Sequence, residues 1–189
     1  MTNRIMIEIK PYNPQWPIEF EQIRGEIAKV LGDQALSIDH IGSTSVPGLA
    51  AKDIIDVQIG VSRFDQRLVD SLRSAGYVFR QDVTTDHQPP GTSGPASEWE
   101  KRLYKSPPSQ RPVNVHVRIK GHANFRYALL FRDYLRSHPS AANGYAELKR
   151  SLAFYHPDDL EAYTIIKDPV CDVIMAAAEE WANATKYEI

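Results

Sequence analysis

The chain has 189 residues, of which 42% are apolar, and it carries a formal net charge of −2 at neutral pH. This size and composition suffice for a hydrophobic core, and the balanced charge provides no general attraction to nucleic acid or to an anionic membrane. No run of about 18 apolar residues is present, the first residues lack a signal-peptide pattern, and the single cysteine, Cys171, excludes an internal disulfide. We therefore expect a cytoplasmic protein without a membrane or nucleic-acid partner.

The first 121 residues predict a mixed α/β domain. Ile5, Ile7 and Ile9 alternate with polar residues and predict a short strand or an extended arm. Apolar residues at helical spacing predict a helix over about 17–31. The same patterns predict strands over 36–41 and 54–61, a helix over 63–75, a strand from Tyr77, and a strand pair over 99–105 and 112–119. Residues 81–97 contain three prolines and two glycines, which is typical of a mobile surface loop or a lid.

After Gly121 the pattern is helical. The predicted helices cover 123–136, 140–154 and 158–183. Pro169 lies inside the third helix and lacks the backbone N–H that a helix interior uses, so we expect a break or kink near Lys167-Asp168. The order of elements predicts an α/β (α+β) fold. Its mixed sheet with flanking helices occupies 1–121, and a C-terminal helical lobe at 122–189 packs on it in one compact unit.

A turn of small residues separates the second and third predicted strands. Gly42-Ser43-Thr44-Ser45 allows close backbone approach, and its hydroxyl and N–H groups suit a phosphate. On the following strand, Asp56 and Gln58 share a face because successive side chains of a strand alternate. A buried Asp needs a partner, so Asp56 predicts a metal- or substrate-binding carboxylate, with a salt bridge or a cap as the alternative.

The strand over 112–119 also carries polar side chains on one face. Asn114, His116 and Arg118 alternate with valines that should face the core. We expect this polar face to form one wall of a binding pocket beside Asp56. His40, close to the Gly-Ser turn, is a second histidine candidate.

The helical half adds candidates for ligand binding. Tyr163 and Lys167 are four residues apart and meet on one helix face. Arg132 is a further candidate. Arg126 and Lys149 are interpreted as part of a solvated helix face.

Five segments together resemble the GrpB family of the nucleotidyltransferase superfamily. They are HIGSTSVPGLAAKDIIDV, NVHVRIKGH, LLFRDYLRSHP, YAELKR and YTIIKD, and the resemblance spans about residues 8–180. It implies a nucleotidyltransferase-like mixed sheet. In that superfamily a Gly-Ser turn precedes an acidic pair on the next strand, and a third carboxylate follows on a later strand. Together they hold Mg²⁺ and a nucleoside triphosphate.

The chain matches this pattern in part. The turn is present and Asp56 matches the first carboxylate, but Gln58 stands at the second position, and Asn114 or His116 stands near the third. Two metal ions about 3.5–4 Å apart need several carboxylates around them. A single Mg²⁺ shared between Asp56 and the triphosphate is therefore the expectation for a cofactor. A site of His40, Asp56 and His116 would instead suit Mn²⁺ or Zn²⁺.

The leading hypothesis is a nucleotidyltransferase-like protein that binds a nucleoside triphosphate or related phosphorylated ligand. In this hypothesis Ser43 and the turn amides bind phosphate, Asp56 binds the metal, and His116 positions the substrate or acts as a general base. The phosphate charge is neutralised by Lys52, Arg118 and Lys167. One alternative is a nucleotide- or CoA-related binding or accessory module that has lost catalysis, and another is phosphoester hydrolysis at a His/Asp metal site.

Overall fold

Five strands and five α-helices form the fold of residues 6–189, which are the residues that the computed structural model describes. In chain order these elements are α1 (Trp16–Leu31), β1 (Ser37–Ile41), β2 (Ile55–Val61), α2 (Gln66–Ser74), β3 (Val78–Phe79), β4 (Arg102–Lys105), β5 (Val113–Ile119), α3 (Ala123–Ser137), α4 (Pro139–Tyr155) and α5 (Leu160–Thr185). Short 3-10 turns include Ser43–Ser45 and Ala96–Trp99. The predicted mixed α+β architecture is confirmed.

Of the short strand or extended arm predicted at the N-terminus, the strand is not found in the part of the chain that is described. Ile5 lies outside the described residues. Ile7 and Ile9 precede a single β-bridge between Lys10 and Ala51, and neither belongs to a strand.

The five strands form one mixed sheet in the order β1-β2-β5-β4-β3. The central strands β2 and β5 are parallel, and the other neighbours are antiparallel. The β2–β5 register places Asp56 opposite Asn114 and Gln58 opposite His116. The polar residues predicted on separate strands therefore lie side by side.

The two faces of the sheet differ because side chains alternate along each strand. One face carries the valines and isoleucines of β2 and β5, which pack with α1 and α2 in the main core. The opposite face carries the polar residues and is covered by α3, where Phe125 and Leu129 pack with Ile41. Helix α3 lies close against β2 at this point, since a Cβ on Gly60 would lie 2.8 Å from a ring carbon of Phe125.

Helices α4 and α5 pack on the segment that follows the Gly-Ser turn. Val46, Leu49 and Ala50 form a buried cluster with Ala142 of α4 and Cys171 of α5, among others. This packing brings the C-terminal helices over the turn and the polar face of the sheet.

Helix α5 runs without interruption from Leu160 to Thr185, with Pro169 inside it. Of the break or kink predicted near Lys167-Asp168, the break does not occur. Proline removes the hydrogen bond to the carbonyl of Ile165, and the Ile165 side chain is exposed, so water can reach this side of the helix. Even this 26-residue helix is not apolar enough to cross a membrane, and no other helix within residues 6–189 qualifies.

The segment 81–97 is anchored rather than free. Thr85 forms a β-bridge with Glu100, and the N–H of Asp86 donates to the carbonyl of Trp99 at 2.8 Å. His87 also contacts Asp172 of α5 at 2.9 Å. The segment therefore reaches from the sheet to the helices.

Candidate functional site

A cavity of about 360 Å³ lies between the polar face of the sheet and helices α3, α4 and α5. This volume is in the range of small-molecule sites. Its walls come from the Gly-Ser turn, β2, β5, the 81–97 segment and the three helices. Ten of the residues predicted to bind ligand line it, namely Gly42, Ser43, Thr44, Lys52, Asp56, Asn114, His116, Arg118, Tyr163 and Lys167.

The turn and Asp56 are in direct contact. Gly42 has a φ of 69°, which disfavours residues with a side chain. A Cβ at this position would also lie 2.4 Å from Oδ2 of Asp56. The absence of a side chain at position 42 thus allows the carboxylate to lie against the turn.

Asp56 is held on its other side by β5. Nδ2 of Asn114 donates to Oδ1 of Asp56 at 2.9 Å, and Nε2 of His116 lies 3.7 Å from the same oxygen. Burial raises the pKa of Asp56, but His116, Asn114 and Lys52 outweigh burial and hold that pKa below its ordinary value. Burial lowers the pKa of His116. At neutral pH the site therefore presents an ionised carboxylate beside a neutral imidazole.

Gln58 takes part in a buried hydrogen-bond network. Its Oε1 accepts from Nη1 of Arg118, and its Nε2 donates to the carbonyl of Phe125 at 3.2 Å. Arg118 also donates to both carboxylate oxygens of Asp86, at 2.8 and 3.1 Å, and Lys101 donates to Asp86 at 2.6 Å. Burial raises the pKa of Asp86, but these two cations outweigh it and hold the pKa well below its ordinary value. Gln58 is fully buried and occupied by this network, so it is not placed to bind a ligand.

Two lysines of the cavity have no carboxylate within salt-bridge distance. Nζ of Lys52 lies 4.9 Å from the ring centroid of Tyr163. Nζ of Lys149 donates to Oγ of Ser43 at 2.8 Å and to a backbone carbonyl. Among the ion pairs of residues 6–189, neither lysine has a carboxylate within salt-bridge distance. Lys167, by contrast, pairs with its neighbour Asp168 at 2.7 Å.

Burial affects the three lysines differently. It lowers the pKa of Lys149 to about 7, and the positive charges of Lys167 and Lys52 act in the same direction. It also lowers the pKa of Lys52, although Asp56 partly opposes this effect. Partial burial lowers the pKa of Lys167 as well, but nearby Cys171 and Asp168 outweigh it and raise this pKa overall. At neutral pH, Lys149 is therefore close to its own pKa.

An aromatic wall lies along the helical side of the cavity. It runs from Trp99 through Tyr127 and Phe131 to Tyr145, with neighbouring ring centroids 5.9, 6.1 and 5.6 Å apart. All four residues line the cavity. The site thus combines a cationic region with flat apolar surfaces, which suits an anionic ligand that also has a planar or apolar part.

His40 lies on the opposite face of the sheet from Asp56. Its ring stacks on Phe20 at 4.6 Å, and Nε2 lies 3.0 Å from Oγ1 of Thr44. Burial lowers its pKa to about 4. The expectation that His40, Asp56 and His116 share a metal is therefore wrong, because adjacent strand residues such as His40 and Ile41 point to opposite faces.

Two further candidates do not line the cavity. Oγ of Ser45 donates to the carbonyl of Gly42 at 2.6 Å, which closes the turn. Arg132 pairs with Asp133 at 2.7 Å and donates to the carbonyl of His40 at 3.0 Å. These contacts stabilise the turn and the α3–β1 packing.

The donor set does not fit a pair of metal ions. Within residues 6–189, no group of three or more His, Cys, Asp or Glu side chains is placed to hold a metal. Asp86 and Asp168 line the cavity, but each is paired with a cation. Asp56 remains as one carboxylate, which suits a single ion whose other ligands come from water and substrate.

The sequence patterns miss several residues of the site. Lys149 was interpreted as solvated, yet it is 3% exposed because α4 crosses the segment after the turn. Arg126, predicted with it, is half-exposed and pairs with Glu179, which agrees with a solvated face. Asp86 is not predicted as a site residue because it lies in residues 81–97, whose composition indicates a mobile loop. Its position before an apolar strand pair was the only available signal, and it was weak.

Comparisons with known proteins give a consistent assignment. The family model described as GrpB protein matches residues 6–177. The crystal structure of the conserved protein GrpB from Enterococcus faecalis has a TM-score of 0.71 and 31% identity to this chain, and the match covers 92% of this chain and 99% of that one.

Curated relatives extend the comparison. A UPF0157 protein from Halalkalibacterium halodurans is 36% identical over 95% of this chain and 84% of its own length. A dephospho-CoA kinase from Mycolicibacterium paratuberculosis is 34% identical over 98% of this chain, which spans only 49% of the kinase. The chain thus spans about half the length of this relative. The family match covers most of the chain, and the chain belongs to the GrpB family.

Proposed function

We propose that this chain is a nucleotidyltransferase-like protein that binds a nucleotide or a related small phosphorylated ligand in the cavity. The observation that carries the proposal is that Lys52, which is partly buried, and Lys149, which is buried, line the cavity without a carboxylate at salt-bridge distance. A buried cation without a counter-ion is costly. A bound anion would supply the missing charge.

The arrangement of charge favours phosphate over a single carboxylate. Lys52, Lys149 and Lys167 reach the cavity from a loop and from two different helices. Asp168 balances the charge of Lys167, so Lys52 and the protonated fraction of Lys149 remain to pair with the negative charges of a phosphate. Ser43 adds a hydroxyl beside Lys149, and the aromatic wall can pack against the remainder of the ligand.

A divalent cation would bind between Asp56 and the phosphates of the ligand. Mg²⁺ is the ion we propose, because it prefers oxygen ligands and keeps several waters. Mn²⁺ or Zn²⁺ could also use the nitrogen of His116. In this arrangement Asn114 orients the carboxylate, and the ligand supplies the negative charge that other nucleotidyltransferases obtain from further carboxylates.

A binding or accessory module without catalysis is the second candidate. It is favoured by Gln58, which stands at the second carboxylate position and is held by Arg118 and Phe125. Several relatives are named dephospho-CoA kinase, which is the reason to include dephospho-CoA among the ligands tested.

Thermal shift with nucleoside triphosphates, dephospho-CoA and CoA, each with and without Mg²⁺, tests the proposal. A ligand at about 100 times its Kd stabilises the fold by about 2.7 kcal/mol, which raises Tm by roughly 5–10 °C for a chain of this size. We expect Lys52→Met to abolish most of this shift and Asp56→Asn to abolish its Mg²⁺-dependent part. The ligand that binds is then assayed for turnover. Turnover would support an enzyme, and binding without turnover would support the binding or accessory module.

The matched control is Lys120→Met, which removes an exposed lysine at the end of β5. It should leave the ligand-induced shift unchanged. A shift that survives Lys52→Met and Lys149→Met as fully as it survives Lys120→Met would refute the placement of the phosphates.

A further inference from the structure

Ser43, which is partly exposed, and Lys149, which is buried, form a hydrogen-bonded pair in the wall of the cavity. Nζ of Lys149 lies 2.8 Å from Oγ of Ser43, although 106 residues separate them in the sequence. Lys149 follows Ala142 and Ala146 on the face of α4 that packs against the segment after the turn. The distance between the two groups is therefore set by buried packing.

The surroundings of Lys149 favour its neutral form. The charged or titratable groups around it are Lys52 from the loop after the turn, Lys167 and Cys171 from α5, and Arg150 and Tyr145 from α4 itself. Burial and the cations among these groups lower its pKa to about 7, while Cys171 opposes the shift. A large fraction of Lys149 is then a neutral amine at physiological pH. A neutral amine at hydrogen-bond distance from a serine hydroxyl can accept its proton, as in serine–lysine enzymes.

We propose that Ser43 is a nucleophile and that Lys149 is its general base, acting on a phosphorus atom of the bound ligand. This inference rests on the proposed function, because the electrophile is the phosphate of the ligand in the same cavity. It adds a covalent intermediate on Ser43 to that function.

The reaction balances without any further reagent. Oγ of Ser43 attacks phosphorus while its proton passes to Nζ of Lys149, and the bond from phosphorus to the leaving oxygen breaks. The leaving oxygen takes the proton from Lys149. Water or an acceptor hydroxyl then attacks the phosphoester on Ser43 and gives its proton to Lys149, which returns it to Oγ as Ser43 leaves.

The other lysines have a different part in this step. Lys167 has a raised pKa and stays charged, and it lines the same cavity as Lys52. These two ammonium groups neutralise phosphate oxygens that would otherwise repel the nucleophile. Lys149 can then act as a base while the phosphate remains bound.

Labelling with a fluorophosphonate tests the proposal without knowledge of the natural ligand. The Ser43 oxygen should displace fluoride from the probe, and intact mass should show one adduct that fragmentation maps to Ser43. The labelling rate should rise with pH through about 7 and level off above it, because only neutral Lys149 accepts the proton. This pH profile is measured on the wild-type chain and needs no variant.

Variants separate a base from a structural lysine. Lys149→Arg keeps a cation that does not deprotonate, so labelling should fall at least about a hundredfold. Ser43→Ala should abolish the adduct. Ser151→Ala is the matched control, since Ser151 is an exposed residue of α4 that does not line the cavity, and it should label at the wild-type rate. Circular dichroism of each variant verifies that it is folded.

The outcomes are distinct. No adduct on the wild-type chain between about pH 6 and 9, or an adduct unaffected by Ser43→Ala, would overturn the inference. A rate without an inflection near pH 7 would show that Lys149 only fills a structural role. A ligand-induced thermal shift without labelling would refute the covalent step alone. Labelling that depends on Lys149, without any thermal shift from phosphorylated ligands, would support the Ser43–Lys149 pair and overturn the proposed function.

Discussion

Replacement of Gly42 by alanine tests whether Asp56 is held against the turn. Gly42 has a φ of 69°, and an added Cβ would lie 2.4 Å from Oδ2 of Asp56. Gly48 follows six residues later with a φ of 80°, but nothing lies within 4 Å of its Cβ position. Gly48→Ala therefore introduces backbone strain alone, whereas Gly42→Ala introduces backbone strain and a collision with the partly buried carboxylate of Asp56.

The difference between the two variants isolates the contact. The backbone contribution is about 1–2 kcal/mol for Gly48→Ala and about 1–3 kcal/mol for Gly42→Ala, whose φ of 69° and ψ of −174° lie in a region that only glycine adopts readily. The collision adds about 1–3 kcal/mol, as overpacking does in other buried sites, because Asn114 holds Asp56 from the other side. At roughly 2–4 °C per kcal/mol for a chain of this size, Gly48→Ala should lower Tm by about 2–8 °C. Gly42→Ala should lower it by about 2–12 °C more.

Urea denaturation of both variants and of the wild-type chain gives the free energies directly. Equal losses for Gly42→Ala and Gly48→Ala, within about 0.5 kcal/mol, would refute the contact. The displaced carboxylate should also weaken the Mg²⁺-dependent part of any ligand-induced shift in Gly42→Ala. Gly48→Ala should retain that part.

Three further predictions concern buried polar groups. Asp86→Asn leaves buried cations uncompensated and should cost about 3–5 kcal/mol in urea denaturation, whereas exposed Asp82→Asn should change little. The pKa of Asp86 is depressed in the folded state. Its ionised carboxylate therefore stabilises the fold fully above the unfolded pKa of about 3.9, and this contribution is lost as the pH falls below that value. Asp86→Asn should make the free energy of unfolding less dependent on pH in this acidic range. Gln58→Glu removes the donor to the Phe125 carbonyl and should cost about 1–3 kcal/mol; unchanged stability would contradict this hydrogen bond. The pKa of Lys149 is about 7 in the fold and about 10.4 unfolded, so the unfolded chain binds more protons between these values and stability rises with pH. From about pH 7 to 9, the free energy of unfolding should rise less in Lys149→Met than in the wild-type chain. An identical rise in both would contradict the lowered pKa of Lys149 in the folded state.

The centre of the site could be predicted because local patterns determine it. Alternation along each strand places Asp56 and Gln58 on one face of β2, and Asn114, His116 and Arg118 on one face of β5, whatever the tertiary fold. A Gly-Ser turn before the Asp56 strand has few alternative geometries. The relative position of the two strands required the parallel β2–β5 register, which follows from long-range packing.

The residues that were missed depend on distant parts of the chain. Lys149 has charged and polar neighbours in sequence, so its burial follows only from the crossing of α4 over the segment after the turn. Asp86 lies among prolines and glycines, and its burial follows from Arg118 and Lys101 on the sheet. His40 was misplaced for the opposite reason. His40 is close to the turn in sequence, which suggests that it belongs to the site. The alternation of side chains along β1, however, places His40 on the face of the sheet opposite to Asp56.

The contacts that form the cavity have a consequence for folding kinetics. They join residues 58 positions apart at Asp56 and Asn114, 106 apart at Ser43 and Lys149, and 85 apart at His87 and Asp172. Such contacts require closure of long loops, so they form late in folding. A ligand can then bind only the nearly complete fold, and it should slow unfolding while leaving the folding rate almost unchanged.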